Sequence, residues 1–343
     1  MALGYQDRVI LGCWQLAQGH GSDVEDGAAV LEAHVGAGFR VLDCADIYTG
    51  VEALIGRFSA AHGLGPDDLR VHTKYVPDLE ALPGLRPDDV ERAIDRSRSR
   101  LGRDVLDLVQ FHWWDYAVPG FLDALEALLR LQREGKIRAI GLTNFDAERL
   151  RTIVEHGVPI ASIQVQYSLL DRRPGGALAA VARQHGVDLL AYGSVAGGLL
   201  ADAYLGRPDP GRPDLGQAYE NRSLTKYRLI VEEVGGWGVL QALLRELRSV
   251  ADEHGSDVAS VASAWCLRQP GVRACIVGIR SRRHLERLAA LRDAAPLDDA
   301  DVARLDALRA RHREVPGEVY ALERDREGRH GRVIKYGLNE AAR

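Results

Sequence analysis

Short apolar runs alternate with stretches of helical periodicity along most of this 343-residue chain. Apolar runs of four to six residues that end at a polar residue are typical of buried parallel strands, whereas apolar residues three and four apart indicate one face of a helix. The pattern predicts eight strands, at residues 9–11, 40–44, 71–74, 105–111, 138–142, 162–165, 187–191 and 274–277. It predicts helices at residues 24–36, 51–62, 87–101, 119–134, 146–156, 175–185, 238–254, 257–268 and 281–292. Four glycines are placed to end helices, at positions 135, 157, 186 and 255.

Uninterrupted alternation of strands and helices predicts a parallel sheet covered by helices. Eight units of this size favour closure into an α/β, (β/α)8 TIM barrel, which we assign to a single domain at residues 1–312. A doubly wound sheet is the competing architecture. It would usually carry a GxGxxG turn after its first strand, and the chain contains no such motif.

Three stretches do not fit the repeat. Residues 113–120 form a short aromatic loop, and residues 193–236 form a long connection rich in Gly and Pro. Loops of that length are usually functional lids or disordered, so we expect residues 193–236 to close over a bound ligand. Residues 313–343 form a charged, aperiodic extension. Its composition favours a solvated tail, and the alternative is a flap over the barrel mouth.

Candidate chemistry lies where predicted strands end. Asp43 and Tyr48 follow the second strand, Lys74 ends the third, and His112 follows the fourth. A barrel of this class builds its active site from the C-terminal ends of its strands. The four residue types also suit one reaction, because a tyrosine can donate a proton, a lysine can lower its pKa, an aspartate can hold the lysine and a histidine can orient a carbonyl oxygen.

The rarity of lysine strengthens the prediction for Lys74. Only four of the 44 basic residues are lysines, at positions 74, 136, 226 and 335. A chain that uses arginine for almost every surface charge, yet has a lysine inside a strand, indicates a site that needs a compact amine. The alternative is a chance lysine at a strand end.

Composition limits the possible partners and compartment. Hydrophobic residues make up 46% of the chain, charged residues 27%, and the net charge is −5, which favours neither a nucleic-acid partner nor an anionic membrane surface. The cysteines at 13, 44, 266 and 275 form no CxxC pair, so no metal site is predicted. The chain contains no apolar run of about 18 residues, and its N-terminus does not resemble a secretory signal. We therefore expect a cytoplasmic protein.

Six ordered motifs resemble those of the aldo-keto reductases, across roughly residues 5 to 310. They are the Asp43-to-Tyr48 step, the Val-His-Thr-Lys74 strand, Val-Gln-Phe-His112-Trp113, residues 135–145, residues 164–172 and residues 190–200. The resemblance implies an oxidoreductase that binds NAD(P)H across the barrel mouth without a Rossmann domain. It implies that Asp43, Tyr48, Lys74 and His112 are catalytic, and that Trp14 and Trp113 bind a small-molecule carbonyl or alcohol substrate.

The resemblance also implies the cofactor contacts. Thr143, Asn144 and Gln164 would hold the nicotinamide carboxamide, Tyr192 would stack on the ring, and residues 197–200 would follow the pyrophosphate. The full predicted set is Thr143, Asn144, Gln164, Tyr192, Gly193, Ser194, Gly197, Leu199, Gly278, Arg280, Ser281 and His284. Two alternatives stay open: Tyr192 as a core residue, and Asn144 as a helix cap, a role that Asp146 also suits.

The adenine end departs from the family pattern. An Asn that many relatives carry on the helix after the eighth strand is absent, where this chain has Leu288. Arg280, Arg282 and Arg283 could instead pair with a 2′-phosphate, so NADP(H) is the expected cofactor and NAD is possible. The arginines could also be an exposed helix start.

The predicted reaction interconverts an aldehyde or ketone and the alcohol, with Tyr48 as the proton donor during reduction. Two other functions remain open. One is an auxiliary, redox-sensing subunit of a membrane channel with slow turnover, and the other is a reductase of an imine or another biosynthetic intermediate.

Overall fold

Eight parallel strands close into a barrel in chain order, which confirms the predicted (β/α)8 architecture. The structure, a computed structural model, describes residues 3, 6–17, 26–211, 222–293 and 297–339. The strands are β1 Val9–Gly12, β2 Val41–Asp43, β3 Arg70–Tyr75, β4 Leu106–Phe111, β5 Ile137–Thr143, β6 Ile160–Gln166, β7 Asp188–Tyr192 and β8 Val272–Gly278. Pairing of β1 with β8, in register from Val9 with Cys275 to Gly12 with Gly278, closes the barrel.

In the described part of the chain, nine helices lie between successive strands and three follow β8. They are α1 Gly27–Gly36, α2 Val51–Ala61, α3 Pro87–Leu101, α4 Phe121–Arg133, α5 Ala147–Glu155, α6 Ala177–Gln184, α7 Arg222–Val234, α8 Trp237–Glu253, α9 Val258–Leu267, α10 Leu285–Asp293, α11 Asp299–Arg309 and α12 Ala321–Arg324. The glycines at 135, 157, 186 and 255 have φ between +60° and +94°, the left-handed conformation that ends a helix with little strain in glycine. Residues 24 and 25, predicted to begin the first helix, lie outside the described residues.

Two apolar layers hold the barrel together. The larger lies between the strands and the surrounding helices. The smaller fills the inside of the barrel with side chains from most of its strands: Ile10, Val41, Leu108, Ala139, Ala161, Leu190 and Ala274. Above this inner layer, toward the C-terminal ends of the strands, the interior becomes polar. The fold therefore places a packed floor beneath the site described below.

The long connection at residues 193–236 contains a helix that the sequence analysis missed. Helix α7 buries Leu224, Tyr227, Ile230, Val231 and Val234, which share one face at helical spacing. Because a Gly- and Pro-rich stretch precedes this short periodic run, the whole of residues 193–236 was predicted as a loop. Residues 212–221 of the predicted lid lie outside the described residues.

The expectation of a solvated C-terminal tail is wrong for the described part of residues 313–339, here called the C-terminal segment. Val315 and Val319 are buried, and Glu323 is fully buried beside Arg173, at 3.4 Å. Arg324 donates hydrogen bonds to the backbone carbonyls of Trp113 and Asn144. The charged composition predicted exposure of this segment to solvent, because composition does not reveal that the barrel supplies partners for the charges.

Candidate active site

A cavity of about 650 Å³ opens at the C-terminal ends of the strands. Sixteen of the eighteen residues that the sequence analysis assigned to the site line it: Trp14, Asp43, Tyr48, Lys74, His112, Thr143, Asn144, Gln164, Tyr192, Gly193, Ser194, Gly197, Gly278, Arg280, Ser281 and His284. They come from all eight strands or the loops that follow them, as expected for a site at the mouth of this fold.

A buried ion pair lies at the base of the cavity. Lys74 Nζ donates to Asp43 Oδ1 at 2.5 Å and to the backbone carbonyl of Cys44 at 2.7 Å. Both side chains are almost fully buried. Burial alone would lower the pKa of Lys74, but the Asp43 carboxylate outweighs it and raises the pKa of the ammonium above its usual value. The lysine is therefore held charged.

The Tyr48 side chain lies beside this ion pair. Lys74 Nζ is 4.9 Å from the centre of the Tyr48 ring, and the Trp14 ring packs edge-on at 4.6 Å from the same centre. Burial raises the pKa of Tyr48, and the charge and hydrogen bond of Lys74 oppose that rise. The phenol is thus a protonated group at neutral pH, next to a cation that stabilises its phenolate.

His112 faces the cavity as a neutral ring. Burial, reinforced by the charge of Arg324, lowers its pKa to about 3. Its Nδ1 lies 3.1 Å from the backbone carbonyl of Thr143, and a carbonyl can only accept, so Nδ1 carries the proton. Nε2 is left with a lone pair and has no hydrogen-bond partner among the described residues. This nitrogen can accept a hydrogen bond from a ligand hydroxyl.

Two glutamines complete the base of the site. Gln164 Nε2 donates to Asp43 Oδ2 at 2.7 Å and to Gln110 Oε1 at 2.9 Å, and Gln110 Nε2 donates to Asp43 Oδ2 at 2.8 Å. Gln110, on β4, was not selected by the sequence analysis. The Asp43 carboxylate therefore accepts hydrogen bonds from one ammonium and two amides.

A second polar chain crosses the upper wall. Lys226 Nζ lies 3.3 Å from the Tyr192 hydroxyl, which donates to Asn144 Oδ1 at 2.9 Å. Asp146, not Asn144, caps helix α5, since its side chain accepts from the backbone NH of Arg149 at 2.8 Å. Asn144 has φ +62°, a conformation that Asn tolerates better than most residues. Its amide is thereby directed to Tyr192 and the cavity.

Gly193 and Gly197 lie under helix α7. A Cβ at Gly193 would lie 2.2 Å from the Tyr227 hydroxyl, and one at Gly197 would lie 2.7 Å from the Tyr227 ring. Close approach of Tyr227 is therefore sufficient reason for glycine at both positions. The helix covers the segment that the resemblance assigns to the cofactor pyrophosphate.

The far end of the cavity is basic and exposed. Arg280 is exposed in the cavity wall, and Ser281 caps the short helical turn that contains His284. Arg287 also lines this end, 3.7 Å from the Asp257 carboxylate. Burial, followed by the charge of Arg287, lowers the pKa of His284. Of the three arginines predicted here, only Arg280 lines the cavity.

Two of the predicted site residues, Trp113 and Leu199, do not line the cavity. Trp113 is fully buried, and its indole NH donates to the carbonyl of Val118 at 3.0 Å, so it faces away from the cavity. Trp114 lines the cavity instead, with its indole NH donated to the Pro77 carbonyl at 2.8 Å. Leu199 is also fully buried in the outer apolar layer and does not line the cavity.

Several cavity residues were not predicted from the sequence, among them Lys226, Tyr227 and Tyr320. The Tyr320 ring lies 5.6 Å from His112, and Lys226 Nζ lies 5.5 Å from the Tyr320 ring. Scarcity of lysine, which selected Lys74, could have selected Lys226 as well. Nothing comparable distinguishes the two tyrosines.

The sequence profile of the Aldo/keto reductase family matches residues 8–310. The chain belongs to this family. As an aldo-keto reductase it is an NAD(P)-dependent oxidoreductase of carbonyl compounds and alcohols, and the recognition made from the six motifs is confirmed.

The chain is also similar to individual proteins, to different extents. Flagellar radial spoke protein 5 of Chlamydomonas reinhardtii is 34% identical over 256 residues, covering 64% of this chain but only 48% of the relative, so the chain spans about half of that protein. Protein tas of Escherichia coli K12 is 29% identical over 313 residues, covering 80% of this chain and 87% of the relative. The glycerol dehydrogenase AKR11B4 of Gluconobacter oxydans superposes with a TM-score of 0.74 at 26% identity, covering 91% of this aldo-keto reductase and 94% of that chain.

Neither a metal-binding cluster nor a membrane-spanning helix occurs among the described residues. Within the ranges that the structure describes, no three His, Cys, Asp or Glu side chains are grouped so that they could hold a metal ion. No helix in the same ranges is long and apolar enough to cross a membrane.

Proposed function

We propose that this aldo-keto reductase reduces ring-bearing aldehydes or ketones with NADPH, using Tyr48 as the proton donor. The observation that carries the proposal is the contact between Tyr48 and the Asp43–Lys74 ion pair at the base of a cavity with aromatic walls. The donor set also suits the cofactor, since it offers amides for a carboxamide, the Tyr192 ring for stacking and the Arg280 guanidinium for a phosphate.

Each catalytic side chain has a separate role in the proposed reduction. Asn144, Gln164, Tyr192 and Arg280 would hold the cofactor, which would supply a hydride to the carbonyl carbon. Tyr48 transfers its hydroxyl proton to the carbonyl oxygen, and Lys74 stabilises the phenolate that remains. Asp43 keeps Lys74 charged and in place. Binding residues on rigid strand ends hold the reacting groups in one orientation, which lowers the entropic part of the barrier.

His112 has a different role from the carbonyl contact that its residue type first indicated. In its neutral form with the proton on Nδ1, the ring cannot donate to a carbonyl oxygen through Nε2. Its Nε2 can accept a hydrogen bond from the hydroxyl group of the alcohol. We propose that His112 orients the alcohol, as the product of reduction or the substrate of oxidation, while Tyr48 is the donor to the carbonyl.

The substrate wall is aromatic and apolar. Trp14 and Trp114 both line the cavity. Trp14 packs against Tyr48, and Trp114 packs against His112 at 4.2 Å between ring centres. The C-terminal segment adds Tyr320, Val333 and Ile334, so we propose that it acts as a flap over the mouth. Such walls bind flat rings by burial and edge contacts.

A panel of aldehydes and alcohols tests this function. We expect NADPH-dependent reduction, with kcat/KM for benzaldehyde-like substrates at least tenfold above that for glyceraldehyde, since burial of a ring is worth a few kcal/mol. The reverse order would contradict the aromatic pocket and leave the catalytic assignments intact. Tight cofactor binding with negligible turnover of every substrate would contradict the reductase function itself.

Cofactor preference depends on Arg280. The guanidinium is exposed in the cavity wall, and a hydrogen bond between charged groups contributes about 1.5–3 kcal/mol. We expect Arg280→Ala to weaken NADPH binding by on the order of tenfold or more and to leave NADH binding nearly unchanged. Dissociation constants from fluorescence titration measure both, with Arg282→Ala as the matched control because Arg282 does not line the cavity. Equal losses for the two cofactors would contradict the assignment.

A further inference from the structure

We infer that Gln110 and Lys226 are positioning residues that fix the direction of the Gln164 and Asn144 side-chain amides, so that the two amides present one acceptor and one donor to the cofactor carboxamide. This inference rests on the proposed function, which places the carboxamide at Asn144 and Gln164. Neither Gln110 nor Lys226 needs to touch the cofactor. Gln110 contacts Gln164 directly and is itself oriented by the Asp43 carboxylate. Lys226 acts on Asn144 through Tyr192. In both cases the first group is a charge whose hydrogen-bonding role cannot be reversed.

On one side the starting point is the Asp43 carboxylate. A carboxylate only accepts, so Gln110 must turn its Nε2 toward Asp43, at 2.8 Å. Its Oε1 then faces Gln164 and requires a donor, which is Gln164 Nε2 at 2.9 Å. That nitrogen donates its second hydrogen to Asp43 at 2.7 Å, so only the Oε1 of Gln164 remains available to a ligand in the cavity. The side chain is thereby fixed as an acceptor.

On the other side the starting point is the Lys226 ammonium. An ammonium only donates, so the Tyr192 hydroxyl accepts from Lys226 at 3.3 Å and must use its own proton elsewhere. That proton goes to Asn144 Oδ1 at 2.9 Å. With its oxygen engaged, Asn144 keeps its Nδ2 for the cavity. The side chain is thereby fixed as a donor.

The two fixed amides complement a carboxamide in one orientation. The carboxamide oxygen needs a donor and its NH₂ needs an acceptor, which Asn144 Nδ2 and Gln164 Oε1 supply. Turning the nicotinamide over about its glycosidic bond would carry the carboxamide to the other side of the ring axis, away from both amides. Rotating the carboxamide about its own bond to the ring would set its NH₂ against a donor and its oxygen against an acceptor, which leaves polar groups unpaired in a buried site. The pair of amides therefore selects which face of the ring is presented to the substrate.

A purely structural role for Lys226 is the competing explanation. Glu323, the carboxylate with the largest effect on the pKa of Lys226, already pairs with Arg173, which also pairs with Asp171. Lys226 forms no ion pair within 4 Å with any described carboxylate, and its one described hydrogen bond is to Tyr192. Burial lowers the pKa of Lys226 and Glu323 opposes that change. Lys226 therefore acts as the hydrogen-bond donor to Tyr192, and Arg173 acts as the counterion of Glu323.

Cofactor analogues and labelled cofactor separate these roles. The variants are Gln110→Met and Lys226→Met, with Gln269→Met and Lys136→Met as controls at the opposite end of the barrel and on its outer surface. The first measurement is the dissociation constant for NADPH and for its 3-acetylpyridine analogue, in which a methyl group replaces the carboxamide NH₂. The wild type should prefer NADPH by on the order of tenfold, the worth of one hydrogen bond, and Gln110→Met should reduce that preference below about threefold.

The second measurement is the face of hydride transfer, read with NADPH carrying deuterium on one or the other side of C4. The wild type and both controls should transfer from a single face. Lys226→Met should weaken the binding of NADPH and of its analogue by the same factor. It should also transfer a detectable fraction of the hydride from the second face. If Gln110→Met fails to fold, as judged by its thermal midpoint, Lys226→Met alone carries the test.

The outcomes distinguish this inference from the function beneath it. Single-face transfer and an unchanged analogue preference in the folded variants would overturn the inference while leaving the reductase function standing. A wild type that neither binds NADPH nor transfers its hydride would overturn both. Restoration of single-face transfer by Lys226→Arg, which keeps a donor that cannot accept, would support the role assigned to Lys226.

Discussion

Tyr48→Phe should lower kcat by on the order of 10²–10⁴-fold, the usual contribution of a general acid. The phenol is the protonated group beside the Asp43–Lys74 ion pair, and its hydroxyl is the only part that the substitution removes. The aromatic contact with Trp14, 4.6 Å between ring centres, survives in the variant. We therefore expect folding and the cofactor dissociation constant to be nearly unchanged.

Steady-state kinetics and cofactor titration of the same preparation check both halves of this prediction. Tyr116→Phe is the matched control, because Tyr116 packs on Phe145 and Arg324 and does not line the cavity. More than a tenth of wild-type kcat in Tyr48→Phe would exclude Tyr48 as the proton donor. A large loss in cofactor affinity would mean that the hydroxyl has a binding role.

Lys74→Ala should have two large effects. Removing one partner of a buried ion pair leaves the Asp43 carboxylate uncompensated, which typically costs about 3–5 kcal/mol of stability. Loss of the cation also raises the pKa of Tyr48 further, because Lys74 opposes the effect of burial. Reduction needs protonated Tyr48, so its rate falls as pH rises through that pKa, and the fall should move to higher pH. At neutral pH, kcat should fall because the phenolate is no longer stabilised.

Lys74→Arg should not restore the rate. Guanidinium is planar, larger and donates in a fixed fork, whereas the slot holds one nitrogen that reaches both Asp43 and the Cys44 carbonyl. Comparison of the pH–rate profiles and denaturation midpoints of both variants, with Lys136→Ala as a surface control, is the measurement. Near-normal rates in Lys74→Arg at neutral pH would show that only a positive charge is needed at this position.

Strand and helix periodicity was sufficient to predict the barrel and the strand ends at which the polar residues lie. Asp43, Lys74 and Thr143 each end or nearly end a strand, where alternation and a fixed fold decide the direction of the side chain. The side-chain direction of Trp113 could not be predicted in this way. The chain leaves β4 at Phe111, and beyond a strand end the sequence pattern does not decide which of two adjacent tryptophans faces the cavity.

Long-range contacts explain the other omissions. Gln110 resembles any polar residue in a buried strand until barrel closure brings β2 and β6 against it. Glu323 and Arg324 resemble a solvated tail until Arg173 and the carbonyls of the barrel mouth become their partners. Helix α7 places Lys226 beside Tyr192, although the two residues are 34 positions apart in the sequence. None of these contacts has a local signal, because each depends on where a distant element packs.

Transfer of deuterium from C4-labelled NADPH to the product tests the central claim most directly. An aromatic aldehyde is reduced by the wild-type protein, and the alcohol is examined by mass spectrometry and NMR. We expect one deuterium on the former carbonyl carbon, from one labelled face of the cofactor, with the hydroxyl hydrogen drawn from solvent through Tyr48. Product without deuterium from either labelled form, or no product while the cofactor is bound, would contradict direct hydride transfer at this site.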